Sequence, residues 1–298
     1  MAETMRDLKR RMKSIESTEH ITNAMRLVSA AKFRRAKGLY DRKSRQLREV
    51  SATIEGILAE ENISGREETG NAEIGAAPAR VLAIVISSDK GLCGGFNSSL
   101  IKTAKAALED YEKENVKVFC IGSRGRDFFE HADYEIAGSF DGAPEKIVFP
   151  EIEAIAAPIL ADYRDHKLDK VLLITTEYIN SLRQEPMVKQ LLPAEPAACA
   201  EAEAETTAGA TSPVEIEYAP SREAVAAYML PKYFELTLFK AVIESAVCEH
   251  AARRTAMENA TDNAREILNS LSLTYNRVRQ AAITGELIEI VSGAETQK

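Results

Sequence analysis

After Pro231 the chain reaches its C-terminus without another proline, and the only glycines there are Gly285 and Gly293. Within that stretch apolar residues recur at alternating steps of three and four. The series is Leu236, Phe239, Ile243, Ala246, His250, Arg253, Met257, Ala260, Ala264, Ile267, Leu271, Thr274, Val278, Ala281, Gly285 and Ile288. All but His250, Arg253, Thr274 and Gly285 are apolar. This period selects one long helix with a coiled-coil seam over any strand. At ~1.5 Å per residue, some 60 residues make a rod of roughly 90 Å. Such a rod cannot bury its seam alone, so the rest of the chain has to supply a partner.

The other end supplies it. The first proline is Pro78, and Met5, Leu8, Met12 and Ile15 keep the three-four rhythm. The rhythm breaks at Ser17, Thr18, Glu19 and His20. It resumes at Ile21, Met25 and Val28, then at Ala36, Tyr40, Leu47, Val50, Ile54 and Leu58. A phase shift of this kind alters the local winding of a helix pair. Asn62-Ile63-Ser64-Gly65 is a stop signal, with Gly65 past the end. The simplest pairing is antiparallel, with a globular insert joining the two helices.

The insert alternates short apolar runs with helical patterns. Val81–Ile86, Val116–Ile121, Tyr134–Phe140 and Lys170–Thr175 read as strands, and 98–113, 123–131 and 151–165 as helices. That alternation predicts a mainly parallel sheet covered by helices on both faces. The fold class is therefore α/β: a long antiparallel coiled coil of terminal helices plus a central Rossmann-like domain. The expected boundaries are 1–65 for the first helix, 66–79 for a linker and 80–220 for the α/β domain. Residues 221–298 hold a short helix ended at Pro231, then the long one. Residues 194–213 are low in complexity and read as a flexible loop. Val214–Tyr218 alternates like an edge strand.

Charge is segregated along the chain. Residues 1–48 carry fourteen Lys/Arg against five Asp/Glu, whereas the whole chain has a net charge of −8. The basic stretch suggests an acidic partner surface. Nucleic acid is the competing reading, but only Phe33 and Tyr40 interleave the charges, and the middle of the chain is acidic. The four cysteines, Cys93, Cys120, Cys199 and Cys248, have no metal-ligand spacing and fit a reducing compartment. No apolar run approaches the ~20 residues of a membrane span. The N-terminus has no apolar signal-peptide core.

Motifs for catalysis are lacking. Ser87–Asn97 is a glycine-rich turn after the first strand, and an alpha/beta nucleotide-binding enzyme would place phosphate there. However, no Gly-Lys-Ser/Thr closes the turn and GxGxxG fails. The favoured reading is a turn packed tightly on a neighbour, with Asp89, Lys90, Gly91, Gly94 and Gly95 facing a partner or that packing. Glu244, Glu249 and His250 come nearest to a metal set without convincing spacing. Cys93 follows the glycine turn but lacks a base partner. No catalytic residue, cofactor or metal is expected.

Three blocks resemble the gamma subunit of F-type ATP synthases: ITNAMRLVSAAK at 21–32, SDKGLCGGFN at 88–97, and AAR, AMENATDNA and YNRVRQAAITGELIEIVSGA at 251–253, 256–264 and 275–294. They span nearly the whole chain in the family's order. The resemblance implies the rotor shaft of the central stalk, a single copy inside a ring of alpha and beta subunits. Further partners would be the delta and epsilon subunits and the c ring. Proton-driven rotation would force the catalytic sites of the beta subunits through successive affinities, and the same shaft would regulate ATPase activity and proton flow. No nucleic acid is implied, and membrane contact is indirect, at the cytoplasmic face of a bacterial inner membrane. The resemblance places Met25, Lys32, Arg34, Arg35 and Arg253 against the ring. Arg279, Gln280, Thr284 and Glu286 also contact the catalytic subunits, and Glu217 and Tyr218 lie near the c ring. The sequence departs from the family at Arg254-Thr255, where a methionine commonly follows the first arginine. Plastid members carry a regulatory cysteine pair in an added loop. Here the 194–213 loop holds only Cys199, so an internal disulfide switch is not expected.

Overall fold

The computed structural model describes residues 4–64, 79–140, 142, 144–193 and 222–295, with side chains of α1 followed as far as Arg45. Ten principal elements follow one another: α1 (Met5–Ser64), β1 (Val81–Ile86), α2 (Phe96–Leu108), β2 (Val116–Ile121), α3 (Ser123–His131), β3 (Glu135–Phe140), α4 (Phe149–Arg164), β4 (Lys170–Tyr178), β5 (Gln184–Leu192) and α5 (Arg222–Glu295). They divide into two compact units. One comprises Met1–Ala31 with Arg253–Lys298, the other Lys32–Ala252.

In the first unit the two helices run antiparallel. Thr22 and Thr261 share a hydroxyl hydrogen bond of 2.9 Å, and Arg265 reaches Glu19 Oε1 at 3.0 and 3.1 Å. Partners therefore descend on α1 as they ascend on α5. On α1 one covered series, with Met5, Asn23, Met25 and Ala30 half-buried beside it, is Leu8, Met12, Ile15, Glu19, Thr22, Arg26 and Ser29. Steps of four and three alternate through them without interruption, so the expected phase break at Ser17–His20 is absent. What changes there is the chemistry: the seam turns polar while its geometry continues. On α5 the covered series is Met257, Thr261, Ala264, Leu268, Leu271, Tyr275 and Val278. The sequence reading put Ala260, Ile267 and Thr274 at the alternate places. Ala260 is half-buried, whereas Ile267 and Thr274 are exposed and Leu268 and Tyr275 are covered in their place.

The second unit is built on a five-stranded sheet in the order β3-β2-β1-β4-β5. β1 is parallel to β2 and β4, and β2 to β3. All six residues of β1 are buried because the strand is covered on both edges and both faces. Alternation of two divides them. Leu82, Ile84 and Ile86 join Ile152, Ile159, Phe234 and Leu238 of α4 and α5 on one face. Val81, Ala83 and Val85 join Leu100, Leu108 and Phe129 of α2 and α3 on the other.

Two elements differ from expectation. β5 was missed: it pairs antiparallel with β4, and its Pro186 lies opposite Thr176. A proline and interspersed charges disguise a strand that an edge position tolerates. Second, α5 does not end at Pro231 but runs through it. An internal proline costs about 3 kcal/mol, and burial of Phe234, Leu238 and Phe239 just beyond it offsets that loss. The expected linker 66–79, the loop 194–213 and the strand at 214–218 lie outside the described residues, apart from Ala79.

A polar latch holds the entrance edge of the sheet. Asp169 accepts from Arg80 N at 2.8 Å, Nε at 3.1 Å and Nη2 at 3.0 Å, and returns its own N–H to Arg80 O at 2.9 Å. Hydrogen bonds from the Arg80 side chain, then its backbone, hold the Asp169 carboxyl below its ordinary 3.8. A depressed carboxyl stabilises the fold above its unfolded pKa, and that share is lost as pH falls through the lower folded value. Asp169→Asn is therefore expected to flatten the stability profile below about pH 4 while lowering the neutral plateau, in urea melts taken across pH.

Candidate functional site

The glycine-rich turn lies where β1 leaves the sheet. Ser87 is fully buried: its N–H donates to Ile121 O at 2.8 Å and its Oγ accepts from Gly125 N at 2.8 Å. Ser88 Oγ donates to Lys90 O at 2.8 Å, and Ser88 N to Asn97 Oδ1 at 3.1 Å. Asn97 Nδ2 donates to Ser88 Oγ and Cys93 Sγ at 2.7 and 3.3 Å. Ser123 Oγ, from α3, donates to Asp89 O at 2.9 Å. Polar groups of the turn are thus spent on the turn and its neighbours. Cys93 and Phe96 pack beneath it on Cys248 of α5, with Tyr178 and Ala252 at the margin. Asp89 contributes its carbonyl rather than its carboxylate, and Lys90, Gly94 and Gly95 are exposed. Leu92 is exposed at a φ of 63°, an uncommon conformation for a bulky residue.

In open parallel sheets ligands enter where strand order reverses, at the carboxyl ends. Here that place is between β1 and β4, and α5 fills it. Ser245 Oγ donates to Ile86 O at 3.4 Å, Cys248 Sγ to Thr176 O at 3.5 Å, and Tyr178 N to Glu244 Oε1 at 3.1 Å. A nucleotide would have to displace the helix. Burial pushes the Cys248 thiol far above its usual range, and the Cys120 thiol up to about 12. Neither has the thiolate character of a nucleophile.

Glu244 accepts two hydrogen bonds at one oxygen, from Tyr178 N and, at 3.0 Å, from Tyr40 Oη. Burial holds its carboxyl above the ordinary glutamate range, opposed by the Tyr178 amide, Lys240 and Tyr40. Among the described residues no cluster of His, Cys, Asp and Glu could hold a metal ion. Nor is any helix there long and apolar enough to cross a membrane.

The expected contact residues are spread over both units. In the first, Met25 is half-buried on α1, and Arg279, Gln280, Thr284 and Glu286 are exposed on α5, with Thr284 Oγ1 donating to Gln280 O at 2.9 Å. Arg253 is only 8% exposed. In the second unit Lys32, Arg34 and Arg35 are exposed on α1. Glu217 and Tyr218 lie outside the described residues.

The sequence reading missed the outer face of the first unit. Ile21, Leu27 and Val28 are 59, 56 and 57% exposed, while Glu19, Thr22 and Ser29 turn inward. The amphipathic sense of α1 is inverted over this span. Leu273, Ile283, Leu287, Ile288 and Ile290 are also exposed on α5. The available signal was the uninterrupted spacing from Leu8 to Ser29, which apolarity overrode.

Comparison with known proteins gives this geometry a context. A family model described as ATP synthase matches residues 4–296. The ATP synthase gamma chains of Alkaliphilus metalliredigens and Heliobacterium modesticaldum are each 38% identical, over 99% and 97% of this chain and 99% and 98% of theirs. Among solved structures, a rotor chain of the Euglena gracilis mitochondrial ATP synthase superposes with a TM-score of 0.65 at 17% identity, covering 94% of this chain and 98% of that one. At that identity the likeness is one of fold.

Proposed function

The chain belongs to the ATP synthase gamma-chain family, and from that premise we propose that it is the rotor of a central stalk. The shaft stands inside a ring of alternating alpha and beta subunits, joined to the c ring with the delta and epsilon subunits completing the complex. Proton flow turns the c ring. The off-centre helix pair then presents a different face to each beta subunit and drives its site through binding, condensation and release of nucleotide. Bond making belongs to the beta subunits; this chain supplies shape and stiffness. The same asymmetry regulates hydrolysis and proton flow when the direction reverses. The chain is peripheral at the cytoplasmic face of a bacterial inner membrane and meets the bilayer only through the c ring.

The observation that carries this reading is the row of exposed apolar residues on the helix pair of the first unit, Ile21, Leu27 and Val28 on α1 and Leu273, Ile283, Leu287, Ile288 and Ile290 on α5, beside a seam that turns polar at Glu19, Thr22 and Ser29. A sleeve of surrounding subunits gives those residues the burial that their own chain withholds. Met25, Arg279, Gln280, Thr284 and Glu286 would touch that sleeve. The basic residues Lys32, Arg34 and Arg35 would meet an acidic surface of the ring, and Arg253 would support the contact face. The turn at Asp89, Lys90, Gly91, Gly94 and Gly95 serves the internal packing. Glu217 and Tyr218 would approach the c ring.

Co-expression with alpha and beta subunits tests this reading. One copy of the chain is expected to co-purify with each ring and to raise its sustained ATPase activity. Rings that form and turn over equally well without the chain, or nucleotide retained by the chain alone, would overturn it.

A further inference from the structure

From residue 241 to residue 250 every position of α5 is buried. A helix covered on all sides has partners on all sides, and in the second unit these include α1, the carboxyl edge of the sheet, the core shared with α4 and the turn residues Cys93 and Phe96. Glu244 lies in the middle of this stretch. It is 9% exposed, and a single oxygen, Oε1, accepts from two elements at once: Tyr40 Oη of α1 at 3.0 Å and Tyr178 N of β4 at 3.1 Å. The aromatic rings continue the node. Tyr178 stands 6.5 Å from Tyr40 and 6.1 Å from Phe33, and Lys37 Nζ lies 4.8 and 4.9 Å from the Tyr178 and Tyr40 ring centres. Lys37 is itself held by Asp41 at 2.7 Å.

We propose that Glu244 is the torsional joint of the second unit, the group through which a twist of the sheet layer reaches the paired segments of α1 and α5. The proposal rests on the rotor reading and adds to it the place where load crosses between elements. Apolar packing resists separation, but it is non-directional and lets packed surfaces slide. A hydrogen bond is directional, and its strength falls steeply as the angle opens. A carboxylate oxygen shared by a strand amide and a helix-borne phenol therefore resists rotation of either element about the other, which side-chain packing alone does poorly. Burial adds to this, because a lost bond leaves donor and acceptor without water to replace it. Ser245 and Cys248, one and four residues on, bond the ends of β1 and β4, so the same turns of α5 are fixed to the sheet at three points.

The test uses the full chain assembled with its ring. Three variants are compared with the unaltered protein: Tyr40→Phe, Glu244→Ala and Glu151→Ala. The last removes a capping bond on α4, in which Val148 N donates to Glu151 Oε2 at 2.9 Å, outside the joint. Torsional stiffness is read from the angular fluctuation of a probe fixed to the sheet layer while the ring is immobilised. Tyr40→Phe is expected to assemble and hydrolyse ATP normally but to show a measurably wider angular fluctuation, the bond that ties α1 to Glu244 being gone. In Glu244→Ala the Tyr178 amide is expected to exchange its hydrogen about ten-fold faster, the factor that ~1.4 kcal/mol represents. Glu151→Ala lowers stability and leaves stiffness alone. Unchanged stiffness in Tyr40→Phe, or an equal fall in Glu151→Ala, overturns the joint. If Glu244→Ala does not assemble, Tyr40→Phe decides alone. Failure of the unaltered chain to join the ring would instead remove the rotor reading, an outcome visible before any variant is made.

Discussion

Gly122→Ala is expected to cost the free chain roughly 3–5 kcal/mol, a positive-φ penalty added to a backbone overlap. Gly122 follows β2 at a φ of 96° and a ψ of 140°, a region that side chains strongly disfavour. A Cβ there would stand 2.3 Å from Ser87 O and 2.9 Å from Ser87 C, both backbone atoms of the crossing turn. No rotamer change relieves such a contact. Either β1 and β2 part at their ends or the turn reorganises, and both routes cost hydrogen bonds: Ser87 N to Ile121 O, and Gly125 N to Ser87 Oγ. Against a typical stability of 5–15 kcal/mol the loss would be visible at once in urea melts. Gly38→Ala provides the opposite sign. Gly38 lies in α1 with nothing within 4 Å of its added Cβ, so alanine is expected to stabilise the helix by about 0.5–1 kcal/mol. Equal effects at the two positions would refute the account of the turn.

The same turn illustrates what a sequence makes legible. β1, β2 and β4 could be read because strands covered on both faces are apolar throughout, and α3 was placed at its observed bounds, Ser123–His131. β5 could not, since an edge strand beside solvent accepts Pro186, Lys189 and Gln190 without penalty. The helix pairing was legible from period alone, but the seam was not. Apolarity marks a seam only when the chain's own partner is what buries the apolar residues. Ile21 and Val28 are exposed instead, and the residues bonded to α5 there are Glu19 and Thr22. Glu244 was hidden for the converse reason. An acid inside Ala-Val-Ile-Glu-Ser-Ala-Val reads as an interruption, and only the fold brings Tyr40 and Tyr178, both distant in sequence, to its one oxygen.

Replacing Ile283, Leu287, Ile288 and Ile290 together with serine is expected to separate folding from assembly. These residues are 48, 57, 63 and 68% exposed, so their own chain gains little from them. Serine and isoleucine have similar helix propensities, and surface substitutions shift stability within about 0.5 kcal/mol each. The unfolding midpoint of the free chain should therefore hardly move. Inside a sleeve the balance changes. Covering the remaining surface of each side chain contributes roughly 1–2 kcal/mol, and the four together several. At about 1.4 kcal/mol per ten-fold, the ring should retain the variant at least about a hundred-fold less tightly. Truncation after Gly285 should act in the same direction. Two results would defeat the argument. Undiminished retention would mean that nothing sheaths the tip, and a large fall in the free chain's stability would mean that the residues pack against their own fold. Only a loss confined to the assembled state fits a shaft whose apolar surface is completed by other subunits.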